Sequence, residues 1–168
     1  RALATLDYQE VVTYSFVDRA WEADFCGNAD PVTLANPIAS QMSVMRSSLI
    51  GGLVQAVAFN SSHKQSRVRL FEIGRCFINA EGLPQPWRVA AMAFGTATPM
   101  QWGQPERPVD FFDIKADLEV LLAPQVFSLR AQEHPALHPG KSAVIVIDGQ
   151  DAGWIGELHP RWQRKYDL

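Results

Sequence analysis

The sequence predicts an α+β domain with a mainly antiparallel sheet and helices packed on it. About seven segments are predicted to be strands, of which 10–17 is dense in β-branched and aromatic residues, and three or four segments have helical character. These strands and helices do not alternate strictly, as a parallel βαβ arrangement requires. The length of 168 residues is most simply accommodated by one domain.

Each predicted element rests on local signals. The helices begin after serine, aspartate or proline residues suited to a first turn, and continue with apolar residues at helical spacing. Gly51 and Gly52 lie in the first turns of the second helix, where they cost least stability or permit close packing. The predicted helical segments are 1–6, 48–62, 110–123 and 160–166, the first being the last turns of a longer helix. The predicted strands are 10–17, 31–38, 67–78, 88–97, 126–132, 142–148 and 152–159.

The composition excludes several classes of protein. A net charge of −3 argues against a dedicated nucleic-acid-binding domain, which is usually strongly basic. The two cysteines, Cys26 and Cys76, form no CxxC motif and therefore predict neither a zinc site nor a disulfide framework. No apolar run approaches the ~20 residues of a membrane span. A cytoplasmic protein is predicted.

The common catalytic motifs are missing from the sequence. It has no P-loop, no Rossmann GxGxxG and no GxSxG nucleophile elbow. The four histidines lack HxH or HxxxH spacing, and three of them precede proline, so we expect turn-capping or interface roles rather than metal binding. They are His63, His134, His138 and His159.

The strand 67–78 separates its side chains onto two faces, because strand side chains alternate. Both faces are largely apolar, which predicts a central strand covered on both sides. The second face carries one charge, Glu72, and a buried carboxylate needs a partner such as Arg46. The first face holds Arg69, Phe71, Ile73, Arg75 and Phe77; the second holds Leu70, Glu72, Gly74, Cys76 and Ile78, and reaches Ala80 if the strand continues.

Six sequence blocks, in this order, resemble the β subunit of bacterial phenylalanyl-tRNA synthetase in its catalytic-like module. They are LDYQEVVTYSFV, LANPIASQMSVMRSSLIGGLVQAVAFN, RLFEIGRCF, VDFFDIKADLEVLL, ALHPGKSA and GWIGELHP. The resemblance covers essentially the whole chain. It implies a class II aminoacyl-tRNA synthetase fold, a mostly antiparallel sheet flanked by helices. Residues 1–168 are then a single module of a longer β subunit.

The resemblance also implies partners and cofactors. The family assembles as an α2β2 tetramer, so the expected partners are the α subunit and a second β subunit. The α subunit uses ATP and magnesium to activate phenylalanine and load the tRNA. Other β-subunit domains make most tRNA contacts. We expect this segment to have no catalytic, cofactor-binding or metal-binding residue, no membrane contact, and no activity in isolation.

The family motifs depart here from an active class II site. Tyr14 stands where motif 1 has a proline, and motif 1 serves the subunit interface. Ile78 and Ala80 replace the arginine and glutamate of motif 2, whereas His159 and Pro160 stand where motif 3 leads to an arginine. Losing one preorganised electrostatic group costs on the order of 10²–10³ in rate. The resemblance thus implies a non-catalytic structural module that packs on the α subunit. The candidate structural or interface residues are Tyr8, Tyr14, Pro37, Arg46, Glu72, Arg75, His138 and Glu157.

Two alternatives remain open from the sequence. The module is an adenylate-forming enzyme in its own right if Arg46, Glu72 and Arg75 replace the lost groups. It is a tRNA-contacting module if the basic residues of 161–165 or of 63–69 face the nucleic acid.

Overall fold

The computed structural model describes residues 1–168 and contains five α-helices and eight strands. The helices are α1 (Ala2–Thr5), α2 (Arg19–Trp21), α3 (Ile50–Ser62), α4 (Phe111–Leu122) and α5 (Pro160–Lys165). A π-helical segment (Glu22–Cys26) continues α2, and a 3₁₀ turn spans Ser40–Met42. The strands are β1 (Gln9–Glu10), β2 (Phe16–Val17), β3 (Val44–Met45), β4 (Arg67–Arg75), β5 (Trp87–Gly95), β6 (Phe127–Ala131), β7 (Leu137–Ile147) and β8 (Gln150–Leu158).

The strands form three sheets rather than one. β1, β4 and β5 make the first, β2 and β3 the second, and β6, β7 and β8 the third. All strand pairs are antiparallel except β1 with β4, which is parallel. The prediction of an α+β chain with mainly antiparallel pairing is therefore confirmed, whereas a single sheet was the wrong expectation.

The predicted strand 10–17 is wrong as one element. It splits into β1 and β2, because the chain leaves β4 after the Val11 N–H donates to the Phe71 carbonyl. Thr13 then bonds to the Glu72 side chain instead of a neighbouring strand, and β2 pairs with β3. β-Propensity alone does not specify which neighbour a strand finds.

Two further strand predictions need correction. The predicted strand 31–38 is reduced to a single bridge between Thr33 and Val44, in a segment that proline limits at both ends. β4 ends at Arg75 rather than Ile78, and the chain continues as an irregular hairpin in which the Ile78 N–H donates to the Pro84 carbonyl at 3.1 Å.

Helix α3 packs against one face of β4. Leu53 and Val57 contact Val68 and Leu70 in one buried cluster. The predicted close packing at the glycine pair is confirmed, since a Cβ on Gly52 would lie 2.3 Å from the Thr13 hydroxyl oxygen. α3 thus sits closer to the segment after β1 than any larger residue would allow.

The opposite face of β4 is covered only over its first half. Leu3 of α1, Tyr8 and Phe71 form a buried cluster there, with Leu121 of α4 packed against it. Ile73 and Arg75, further along the same face, are exposed. The prediction of a strand covered on both sides holds for the start of β4 and is wrong for its end.

Helix α4 connects the first sheet to the third. Its inner side packs on Ala143, Ile145 and Ile155 of the third sheet. The predicted cap is confirmed, because the Asp110 side chain accepts the backbone N–H of Asp113 and the Asp113 side chain accepts that of Asp110. No helix of the structure combines the length and apolar character needed to cross a membrane.

Candidate functional site

A closed polar cluster of Arg46, Thr13 and Glu72 lies at the centre of β4. The Arg46 guanidinium donates to Glu72 Oε1 at 2.7 Å and to the Thr13 hydroxyl at 3.0 Å. Thr13 in turn donates its hydroxyl to Glu72 Oε2 at 2.8 Å and its backbone N–H to Oε1 at 3.2 Å. Both ionised side chains are at most 6% exposed, so the predicted pairing of Glu72 with Arg46 is confirmed. Neither oxygen of Glu72 is left without a donor.

Gly74 makes room for this arrangement. A Cβ at that position would lie 2.3 Å from Arg46 Nη2, well inside van der Waals contact. Arg46 cannot easily withdraw, because its Nε also donates to the Arg75 carbonyl at 3.1 Å and its own carbonyl accepts the Phe77 N–H at 2.8 Å. The guanidinium therefore fills the space directly above the strand.

A second buried carboxylate lies beside the first. Glu22, only 2% exposed, accepts hydrogen bonds from the Ser47 backbone N–H at 2.9 Å, from the Ser47 hydroxyl and from the Asn28 side chain at 2.9 Å. No cation pairs with it. Sequence reasoning missed this residue, because a single glutamate in the polar stretch 21–31 gives no signal of burial.

The two cysteines lie next to this cluster and are not poised for chemistry. Burial raises the pKa of Cys26 to about 11, with hydrogen bonding to Ser47 opposing the shift. Burial likewise raises the pKa of Cys76. A thiol needs a lowered pKa to act as a nucleophile near neutral pH, so both are structural.

The two positions that we predict to replace the motif 2 arginine and glutamate, Ile78 and Ala80, carry no polar side chain. Ile78 is half-buried and Ala80 is exposed, in the hairpin that follows β4. The hairpin is tied back by Asn79, whose side chain donates to Asp30 at 2.9 Å. Nothing there can clamp a phosphate, which requires a cation or several convergent N–H groups.

Arg75 does not join Arg46 and Glu72. Its side chain projects to the other face of β4, where it lies 5.4 Å from the centre of the Trp87 ring and donates to Gln85 at 3.2 Å. The structure thus brings together two of the three residues proposed for an adenylate-forming site. The two it joins are already paired with each other.

Three of the candidate interface residues, Tyr8, Tyr14 and Pro37, differ in their exposure to solvent. Tyr8 is buried and donates its hydroxyl to Asp117 at 2.8 Å, while Arg69 lies over its ring and pairs with the same carboxylate. Burial, and then the bond to Asp117, raise the pKa of the Tyr8 phenol. Tyr14 and Pro37 are exposed.

The predicted motif 3 residues form a helix start. β8 leads into α5, and the His159 Nδ1 accepts the Arg161 backbone N–H at 3.1 Å, with Pro160 in the first turn. His138 makes the equivalent bond to Gly140 at 3.0 Å. Glu157 pairs with Lys141 at 2.7 Å. Of the two roles expected for these histidines, His138 and His159 make turn-capping bonds, and an interface role stays a prediction.

Most cations of the two basic stretches are engaged within the chain. Arg161 donates to the Pro135 carbonyl and lies 4.3 Å from the Trp162 ring, and Lys165 pairs with Asp24. Of the 63–69 stretch, Arg67 pairs with Asp7 and Arg69 with Asp117.

Two shallow clefts of about 400 Å³ each flank α4, one beside its end and one beside its start; neither includes Glu72 or Ile78. No cluster of three His, Cys, Asp or Glu side chains is arranged to hold a metal ion.

The chain is similar to phenylalanine–tRNA ligase beta subunits over its whole length. It is 54% identical to those of Ralstonia nicotianae and Aromatoleum aromaticum over 99% of the chain, and 53% identical to that of Bordetella bronchiseptica over all of it. In each case the chain spans 22% of the relative's own length.

A solved structure and a family model agree with this similarity. The structure of Desulfitobacterium hafniense PylSc, a pyrrolysyl tRNA synthetase, matches 99% of the chain and 56% of its own, with a TM-score of 0.66 at 14% identity. At that identity the match shows a shared fold alone. The model of the phenylalanyl tRNA synthetase beta chain CLM domain matches residues 1–168. The chain therefore belongs to the phenylalanyl-tRNA synthetase beta chain family.

Proposed function

We propose that this chain is a non-catalytic module of phenylalanine–tRNA ligase that packs on the α subunit and supports an α2β2 assembly. The full enzyme attaches phenylalanine to its tRNA with ATP and magnesium, and works in the cytoplasm. Its activating site lies on the α subunit, and other β-subunit domains make most of the tRNA contacts.

One observation carries the proposal: side chains of the chain itself fill the face of β4 that would bind ATP in a catalytic relative. Arg46 lies over Gly74 and saturates Glu72, while Ile78 and Ala80 offer no charge. The residues present do not fit ATP, because its phosphates require cations that are free to approach them. We therefore derive no catalytic step for this chain.

The test uses the ligase assembled from the α subunit and the full-length β chain. Glu72→Gln in the β chain removes the charge that a catalytic role would need while keeping the shape of the side chain. We expect a lower yield of tetramer, but ATP–pyrophosphate exchange per assembled tetramer within twofold of the wild type.

Glu10→Gln serves as the control, since Glu10 is exposed and unpaired. It should change neither the yield nor the exchange rate. A fall of about 10²–10³ in exchange per assembled Glu72→Gln tetramer is the loss expected for a preorganised catalytic group. That result would reject the non-catalytic role.

A further inference from the structure

The third sheet leaves the outer edge of β6 open. The strand order of this sheet is β6-β7-β8, so β6 has a neighbouring strand on one side only. It pairs with β7 at five consecutive positions, from Phe127 opposite Ile147 to Ala131 opposite Ala143, without a bulge. The other side of β6 therefore presents a regular row of backbone groups.

One hydrogen bond shows which residues of β6 face this edge. The Gln132 N–H donates to the Ser142 carbonyl of β7, so the backbone groups of Gln132 face inward. In an antiparallel pair these groups alternate between the two sides of the strand. The residues whose N–H and C=O groups face outward are therefore Phe127, Leu129 and Ala131. No hydrogen bond outside the β6–β7 ladder involves their backbone groups.

β6 lacks the features that usually keep an edge strand from pairing. Natural edges are protected by proline, lysine, bulges or very short strands. β6 has no proline, no lysine and no bulge, and its five residues are an ordinary strand length. Its one charged side chain, Arg130, is already paired with Asp151 at 2.8 Å. An edge of this kind recruits another strand.

A cleft of about 400 Å³ lies at this edge, between the end of α4 and β6. Its lining includes Lys115 and Glu119 of α4, which pair with each other at 2.5 Å, so it offers no free charge. Phe127 and Leu129 line it from β6 and are only partly buried, and Val126 beside them is 81% exposed. Extended peptides are recognised by backbone hydrogen bonds to a sheet edge together with a pocket for alternate side chains. Both components are present here.

From these observations we infer that a segment of the β chain outside residues 1–168 adds to β6 as a fourth strand of the third sheet. The inference rests on the proposed function, which makes this chain a module of a longer β subunit. The chain spans 22% of the length of the curated relatives that it matches. The segment that fits is extended and carries apolar side chains on the side that faces α4, where Phe127 and Leu129 line the cleft.

The size of the site favours a segment of the same chain over a separate molecule. A standard complex between two proteins uses about 20–30 residues on each side. Here β6 offers five residues and the cleft eight, with Phe127 and Leu129 in common. A tethered segment has an effective concentration of about millimolar, so a small number of contacts is sufficient to hold it. A nucleic acid does not fit, because the edge offers its phosphates no unpaired cation.

Hydrogen exchange of single amides in the full-length β chain, without the α subunit, tests the inference. We expect the amides of Phe127, Leu129 and Ala131 to exchange at least about 100-fold more slowly than unstructured amides, because they open only when the added strand leaves. If the edge is open, these three amides exchange freely while the amides that bond to β7 stay protected. Free exchange at the three positions would overturn the inference.

Two substitutions at Ala131 supply a second measurement. Ala131→Pro removes an outward N–H and leaves the bonds to β7 in place, since edge positions tolerate proline when the N–H faces away from the ladder. Ala131→Val is the control, because it changes the side chain and keeps the N–H. We expect the proline variant to raise exchange at least about tenfold in a segment outside residues 1–168, and the valine variant to stay within about twofold. If no such segment responds to proline, the inference is wrong.

Other outcomes identify a different occupant and also overturn the inference. Protection of the three amides only after the α subunit is added would make the α subunit the occupant. Protection that depends on the concentration of the β chain would point to a second copy. An open edge in a β chain that still binds the α subunit leaves the proposed function standing. Failure of the β chain to bind the α subunit would instead refute the proposed function, whatever the exchange at β6.

Discussion

Replacing Gly74 by alanine should strongly destabilise the chain, although the change adds one methyl group. The new Cβ would lie 2.3 Å from Arg46 Nη2 and 3.4 Å from Glu72 Oε1. Carbon atoms are in favourable contact at about 3.5–4.0 Å, so the guanidinium must move by about 1 Å or more. Such a shift breaks its bonds to Glu72 and to the Arg75 carbonyl.

The expected cost follows from those bonds. Each hydrogen bond to a charged group contributes about 1.5–3 kcal/mol, and overpacking a dense interior costs about 1–3 kcal/mol. Against this, alanine in a strand gains about 0.5–1 kcal/mol over glycine through a less flexible unfolded state. We expect a net loss of about 3 kcal/mol in the free energy of unfolding, or roughly 6–12 °C in Tm for a chain of this size.

Gly153→Ala provides the matched control for urea and thermal unfolding. Gly153 also lies in a strand, but its nearest neighbour, Ile145 Cδ1, is 3.8 Å from the added Cβ. It should be neutral or stabilising by about 0.5 kcal/mol. A Gly74→Ala variant within about 0.5 kcal/mol of the wild type would refute the view that Arg46 is fixed in place.

Three further predictions concern buried or capped groups. Glu72→Gln should lower the free energy of unfolding by about 3 kcal/mol in urea titrations, since it leaves the buried Arg46 charge unpaired; a loss below about 1 kcal/mol would contradict this. The pKa of Tyr8 is raised in the folded chain, so its contribution to the free energy of unfolding is complete below pH ~10 and is lost as the pH rises from there, because the unfolded phenol ionises first. Ultraviolet titration of the wild type against Tyr8→Phe measures the Tyr8 ionisation, and a midpoint at the ordinary tyrosine pKa would disprove the prediction. The hydrogen bond from Arg107 lowers the pKa of Asp113 to about 2. The α4 cap therefore contributes to the free energy of unfolding above pH ~4, and this contribution is lost as the pH falls towards 2. NMR titration of the Asp113 carboxyl checks this, and a midpoint near 4 would be inconsistent with the bond.

The elements predicted well from the sequence are those whose signals are local. α3 and α4 begin near serine and aspartate caps and follow helical spacing, and β4 and β5 are long segments separated by a turn that glycine and proline mark. The 10–17 segment has an equally strong strand composition but is divided, because Thr13 bonds to a side chain distant in sequence. Composition specifies an extended backbone and leaves its neighbour undecided.

The part of the candidate site that lies on β4 was predictable, because side chains alternate between the two faces of a strand. The single charge on one face of β4 required a partner, and Arg46 is that partner. Glu22 was not predictable, since its burial depends on a π-helical turn and on donors from Asn28 and Ser47. The exposure of Ile73 and Arg75 at the end of β4 was also missed, because apolar alternation in a strand is the same whether its end is covered or open.

The two carboxylates on either side of the 46–47 dipeptide have a consequence for how the chain opens. Glu22 accepts a hydrogen bond from Ser47, and Glu72 pairs with Arg46. The segment before α3, the π-helical turn and the middle of β4 therefore cannot separate without leaving a buried charge unpaired. We expect these three segments to open together, so that their amide protons exchange with the same free energy of opening. The buried polar centre thereby couples the opening of three segments that lie far apart in the sequence, so a mutation in any one of them should change amide exchange in all three.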